Sequence, residues 1–308
     1  MEKKYAVTNT FYTFFGFLIQ ATVSTYFANY MTDTVMIPSG IASIIMLVAC
    51  IWDAVNDPMM GAIADRTHTK WGRFRPYVLF AGPLLMVISF FLFRSPNHMS
   101  ASGKVAYIAI FYILYGMTVT VYTVSRESLI ASCLRDMKKR NKVYMLSGIA
   151  AGVAFTIASS FSENIAGIFG GGTWSWNMVL YGLPLILFGA LLFRNSRENA
   201  PEREIAEKAK TDKSSFIRDL KVVLSHKEIW VCGIIWMTAS LGYGLMFSSS
   251  VSYIKYVVAT DMSQWALIGT YMLIVSLGAL VSMAVLQPII LKAFKFVVYK
   301  GSSLGCVK

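Results

Sequence analysis

Eight helix-length apolar stretches, at 8–32, 39–63, 77–93, 105–131, 143–169, 175–193, 228–251 and 265–290, constrain this chain more than any other feature of its sequence. A bilayer core takes about 20 apolar residues per helix, and it holds no water to satisfy a backbone group left open. None of the stretches shows the ten-residue alternation of a membrane barrel. The expected fold class is therefore all-α, a polytopic membrane protein. Composition agrees: 56% of the 308 residues are hydrophobic, 14% are charged and mean hydropathy is +0.57. A soluble globular chain carries about 25% charged residues. Disordered proteins, nucleic-acid-binding domains and ordinary cytosolic enzymes are excluded on that ground. The four cysteines and three histidines are scattered, with no spacing for a disulfide framework or a zinc site.

Turn and charge signals separate the stretches: Met36-Ile37-Pro38-Ser39-Gly40, Ser95-Pro96-Asn97-His98 and Gly170-Gly171-Gly172. The first stretch follows Lys3 and Lys4. It is too long and too polar for a signal peptide, and no small-residue cleavage site stands out. With the N-terminus placed inside, 24 of the 28 Lys and Arg fall on the inner side and three on the outer, and Arg126 lies within a span. That asymmetry follows the positive-inside rule. It also accounts for the net charge of +12: these side chains meet anionic headgroups of the lipid bilayer, and no nucleic acid is needed as a partner.

Segment 194–227 breaks the apolar pattern with a dense, nearly balanced run of charges and with Pro201. It reads as a cytoplasmic linker carrying one or two short amphipathic helices. Residues 1–193 then form a six-helix half, 228–290 supply two more spans, and 291–308 make a basic tail or the start of a ninth helix. Six spans, a charged inner loop and further spans is the plan of carriers built from two six-helix halves. The expectation is a chain whose second half is cut short.

Acidic residues inside spans are few, and each costs about 2.5–3.5 kcal/mol at a helix centre. The sharpest group is Trp52-Asp53-Ala54-Val55-Asn56-Asp57-Pro58. Asp53 and Asp57 are four apart and share one helix face, with Asn56 beside them. Two carboxylates so close repel, and a low dielectric amplifies the repulsion. A bound cation, or a proton on one of them, relieves it, and hard cations favour oxygen ligands. Pro58 has no N–H for the Ala54 carbonyl, so that oxygen is open too. A wetted acid pair near the helix end, or pairing with a distant basic residue, is the alternative.

Past span 2, Gly61, Asp65 and Arg66 precede Arg73 and Arg75. Gly61 allows close helix approach. Asp65 can cap a neighbouring helix or pair with Arg73 or Arg75, which makes an inner-side latch; plain positive-inside anchoring explains the arginines alone. Span 1 carries a polar stripe, Thr22, Thr25, Tyr26 and Asn29, among many aromatics. Such a stripe suits a sugar-lining surface, and equally suits helix packing glued by hydroxyls and amides. Span 4 holds Thr123, Arg126 and Glu127. The charged pair either faces a cavity near substrate or snorkels to the inner interface. Glu163, near the outer end of span 5, suits an interfacial role. No nucleophile–base set, metal set or nucleotide-binding motif is present. The chain reads as no enzyme, with no catalytic residues and no cofactor.

The run Trp52-Asp53-Ala54-Val55-Asn56-Asp57-Pro58, with Gly61, Asp65-Arg66-Thr67 and Trp71-Gly72-Arg73-Phe74-Arg75-Pro76, resembles the span-2 signature of the glycoside–pentoside–hexuronide:cation symporters. These are the melibiose-permease-like branch of the major facilitator superfamily. The resemblance implies a helical bundle of that superfamily that moves a sugar or glycoside with a coupling cation (Na+, Li+ or H+) by alternating access. It implies a monomer in a bacterial inner membrane with a cytoplasmic N-terminus. It also implies a cation site of Asp53, Asn56, Asp57 and, from span 4, Thr120. The positions matching the family's galactoside-binding residues are Phe17, Thr123 and Glu127, which depart from its pattern, so sugar specificity does not carry over. Thr22, Tyr26, Asn29, Thr123, Arg126 and Glu127 are the expected substrate lining. Beside this stand two other readings: a carrier of lipid-like amphiphiles, and a non-transporting fragment.

Overall fold

The computed structural model describes residues 2–67, 69–94, 98–134, 136–168 and 174–197, together with isolated positions between 225 and 278. The expected linker beyond 197, the continuous seventh and eighth spans, the tail 291–308, and the turns at 95–97 and 170–172 lie outside the described residues. Among the described residues the regular elements are helices, with one isolated bridge between Thr69 and Gly72. The helices are α1 (Glu2–Asn29), α2 (Ser39–Arg66), α3 (Arg75–Leu92), α4 (Ala101–Cys133), α5 (Met137–Ile168) and α6 (Trp174–Asn195), and a π-helical turn (Tyr30–Thr34) continues α1.

Each helix covers one expected apolar stretch. α4 and α5, at 33 and 32 residues, run past it. At 1.5 Å per residue they reach about 50 Å, longer than a hydrocarbon core. The extra turns hold polar and charged residues that helix geometry accommodates in the interfacial layer. Local chemistry marks the ends. Ser100 caps α4 by accepting from the Gly103 N–H, and Asp136 caps α5 by accepting from the Lys138 N–H at 2.9 Å. Pro76 stands in the first turn of α3, where its missing N–H costs nothing. Gly72 takes φ 117°, a region closed to ordinary side chains, to turn the chain between α2 and α3.

α2 to α6 are long and apolar enough to cross a membrane; α1 is not. The sequence explains the exception. Thr8, Asn9, Thr10, Thr13, Gln20, Thr22 and Thr25 dilute its apolar content. α1 tolerates them because it lies between α5 and α6 rather than against lipid. Thr10, Thr13 and Thr22 also donate to the carbonyl one turn back, each at 2.8 Å.

α1 and α5 are parallel neighbours, as two cross-links show: the Asn9 amide donates to Ser147 Oγ at 2.8 Å, and the Thr22 and Ser162 hydroxyls lie 2.9 Å apart. α3 packs on α4 and α6, and α2 packs on α4 and the π-helical turn. Aromatic rings close one end of the bundle. Phe27 stacks on Tyr112 at 4.7 Å, and Trp174 packs against Tyr26 at 4.9 Å and Phe93 at 5.9 Å. The opposite end carries the arginines after α2. α2 is the least covered helix, with Ile44, Leu47, Ile51 and Val55 exposed.

Candidate functional site

Two helices build the site. α2 presents Asp53 and Asp57 one turn apart, and both reach α4. The Thr120 hydroxyl donates to Asp57 Oδ1 at 2.8 Å. It carries a single proton, so this bond replaces the alternative one to the Gly116 carbonyl at 3.2 Å. Asp53 lies against Gly116: a Cβ at that position would sit 2.6 Å from Asp53 Oδ1 and 3.5 Å from Oδ2. Glycine is therefore what lets this carboxylate lie on the α4 backbone. Asn56 is buried at 5% exposure, and its amide nitrogen has no partner among the described residues. Among the described residues no Lys or Arg pairs with Asp53 or Asp57. The structure thus gathers Asp53, Asp57 and Thr120 at one α2–α4 contact, with Asn56 buried on α2 beside them. Gly116 was not singled out from the sequence. The signal that finds it is its place one turn before Thr120, opposite the first Asp.

Gly116, Thr120, Thr123 and Glu127 follow one another at spacings of four, three and four, so they share one face of α4. Thr123 gives its proton to the α4 carbonyls of Val119 or Thr120. Glu127 keeps 44% of its side chain exposed. Arg126 points the other way, into the bundle, and is 7% exposed. Its guanidinium donates to Thr13 Oγ1 of α1 at 2.7 Å and pairs with Glu127, while its Nε has no partner among the described residues. It lies over the Tyr122 ring. Tyr144 of α5 stands beside Glu127. Arg126 therefore does not snorkel: Thr13, a residue that sequence reasoning passed over, holds it in the interior.

The polar stripe of α1 takes the second of its two readings at Thr22 and Tyr26. Thr22 is fully buried against Ser162, and the Tyr26 hydroxyl donates to the Ser159 carbonyl at 2.5 Å. Thr25 is buried as well. Packing α1 on α5 uses this face, so in this structure Thr22 and Tyr26 line no open surface. Asn29 is half-buried at the end of α1. Glu163 is partly buried near Tyr26.

At the basic end, Arg73 Nε donates to the Ala64 carbonyl at 3.1 Å, the last turn of α2. Arg75 donates to the Phe193 carbonyl at 2.6 Å, to Ser196 Oγ at 3.2 Å and to the Trp71 carbonyl at 3.0 Å. It also covers the Phe193 ring at 4.5 Å. Cations here meet open carbonyls at helix C-termini, where the helix dipole favours them. The side chains of Asp65 and Arg66 lie outside the described residues. Among the described residues nothing approaches the position of a Gly61 Cβ within 4 Å, so the close contact expected there does not form among them.

The chain is similar to known proteins over most of its length. A family model described as MFS/sugar transport protein matches residues 15–297. The uncharacterized symporter YnaJ of Bacillus subtilis is 30% identical over 275 residues, 86% of this chain and 56% of that protein. The glucuronide carrier protein homolog of Escherichia coli is 24% identical over 242 residues, 76% of this chain and 50% of that protein. The chain spans about half the length of the curated relatives it matches. Among solved structures, a crystal structure of a D-xylose-proton symporter superposes with a TM-score of 0.64 at 15% identity, covering 94% of this chain and 69% of that one. That likeness gives the same fold.

Proposed function

This chain belongs to the MFS/sugar transport protein family, a family of multi-pass membrane transporters rather than enzymes, and from that premise we propose that it moves a sugar with a coupling cation by alternating access. Asp53 and Asp57, with the Asn56 side-chain carbonyl and the Thr120 hydroxyl oxygen, hold the cation. Thr123 and Glu127 face the sugar, and Arg126 positions Glu127. The observation that carries the reading is the α2–α4 contact: two carboxylates without a basic partner among the described residues, one bonded to Thr120 and one laid on Gly116.

The physics is charge neutralisation. Two carboxylates a helical turn apart in a region of low dielectric repel each other and resist losing water. A monovalent cation between them removes one unit of that charge and lowers the cost of closing the site. A closed, sugar-filled state then rocks between the two faces of the membrane. The basic end, with Arg73 and Arg75 on helix C-termini, faces the cytoplasm, and the N-terminus lies there too. Relatives called symporter and glucuronide carrier homolog support the coupling and the sugar class.

Reconstituted protein should accumulate labelled methyl glycosides in proteoliposomes, and an imposed Na+, Li+ or H+ gradient should stimulate it. Asp57→Asn should abolish the stimulation while the protein still inserts. Ion-stimulated accumulation by the Asp57→Asn protein equal to that of the wild type refutes the site. The same flux with and without any gradient in the wild type refutes the coupling.

A further inference from the structure

Arg126 is the sole Lys or Arg within the eight apolar stretches of this sequence. A sugar carrying a carboxylate needs a membrane-depth cation to meet it, so the state of this guanidinium bears on the cargo. It is not available as found. Glu127 takes one of its amino groups, Thr13 takes another at 2.7 Å, and the side chain is sealed in the interior. What α4 turns outward at that level is the half-exposed Glu127 carboxylate. One face of α4 thus touches Asp53 at Gly116 and Asp57 at Thr120, and carries Glu127 itself about 10 Å further along at 1.5 Å per residue. Three carboxylates stand on this surface against one guanidinium turned away. A single bound cation leaves the surface still negative.

We propose that this face of α4 suits an uncharged glycoside or pentoside as cargo, and that Glu127 disfavours sugar acids by neutralising and covering Arg126. This rests on the reading of the chain as a sugar:cation symporter and narrows its substrate class. It separates the chain from its relative described as a glucuronide carrier homolog. Glu127 acts twice. Its half-exposed carboxylate, with Tyr144 beside it, accepts from sugar hydroxyls, and its bond to Arg126 removes the cation that a uronide would seek. A carboxylate cargo would have to displace Glu127 from Arg126 while standing beside two further acids, and such like-charge juxtaposition opposes binding.

The test is the thermal unfolding midpoint of the purified protein, titrated with methyl β-D-xyloside or methyl β-D-glucuronide in NaCl and in choline chloride. In the wild type the xyloside should bind at least tenfold more tightly than the glucuronide. Glu127→Gln keeps the side-chain shape but unmasks the guanidinium, and should shift that ratio at least tenfold toward the glucuronide. A double variant, Arg126→Met with Glu127→Met, removes both charges and should show no such shift. Equal or tighter glucuronide binding by the wild type, or an unchanged ratio in Glu127→Gln, overturns the inference. If Glu127→Gln does not fold, the wild-type ratio decides alone. Xyloside binding of equal strength in both salts would refute the coupling reading and leave this inference standing. Binding of neither sugar in either salt would refute both.

Discussion

Gly116→Ala separates folding from ion binding. A methyl group added at this position would lie 2.6 Å from Asp53 Oδ1, inside any ordinary contact. The neighbour is the tip of a two-torsion side chain on the least covered helix, so Asp53 gives way and α4 keeps its place. The oxygen must retreat by roughly 0.7 Å to reach van der Waals separation. Alanine in a helix interior is itself about 0.5–1 kcal/mol more favourable than glycine. Stability of the ion-free protein should therefore hold or rise slightly. Ion binding should not. Moving the unit charge of the Asp53 carboxylate from about 2.4 Å to about 3.1 Å from a monovalent ion, at an effective dielectric of about 20, loses about 1.5 kcal/mol. That is roughly a tenfold loss of affinity. Trp52 adjoins Asp53 and is partly exposed, so its fluorescence can report a NaCl titration against choline chloride, with the unfolding midpoint measured in parallel. An unchanged Na+ affinity in Gly116→Ala, with folding intact, would refute the claim that Asp53 binds the ion from its seat on α4.

Three further outcomes follow from named contacts. Thr120→Ala removes the donor to Asp57 and should weaken Na+ binding about tenfold, while Thr120→Ser, which keeps the hydroxyl, should stay within about threefold of wild type; the same titration reads both. Tyr26→Phe deletes the bond to the Ser159 carbonyl and should cost about 1 kcal/mol of stability in urea or heat, with the Na+ dependence unaltered because the bond belongs to the α1–α5 packing. Arg75→Ala opens the carbonyl end of α6, and hydrogen exchange measured by mass spectrometry should speed up in the peptide containing Phe193 and Ser196 while the middle of α6 stays protected.

The helices were legible because length and apolarity decide them: a membrane leaves a chain no other way to satisfy its backbone. The acid pair was legible for the opposite reason, since an acid inside an apolar run violates the pattern that surrounds it. Residues whose role depends on what lies across from them were harder to read. Thr22 and Tyr26 have the spacing of a lining and the spacing of a packing face, and only the position of α5 separates the two. Gly116 has no polar group to draw attention, and its part follows from Asp53 on another helix. Arg126 was ambiguous because its long side chain reaches either the interface or the interior. Thr13, at depth in α1, decides which. At the basic end, Arg73 and Arg75 find backbone carbonyls, a partner that no side-chain pattern announces.

Polar residues in this bundle therefore divide by what their protons and lone pairs already do. Thr8, Thr10, Thr13 and Thr22 of α1 return theirs to the helix one turn back, and the α1–α5 seam spends the Asn9 amide N–H, Tyr26, Ser147 and Ser162 on each other or on nearby carbonyls. Hydroxyls so engaged hold helices together and have little left for a ligand. The α2–α4 contact differs. Asp57 receives one hydrogen bond where two oxygens can accept several, Asp53 lies on a glycine that offers it no side chain, and the Asn56 amide nitrogen has no partner among the described residues. Capacity for a cation is what remains after packing has taken its share, and the two carboxylates place it on the helix with the fewest neighbours. An ion that binds Asp53 and Asp57 while Thr120 holds Asp57 would tie α2 to the rest of the bundle more firmly than packing alone does. On the proposed function, occupancy of the site would set the position of the helix that carries it, the property a coupling ion requires.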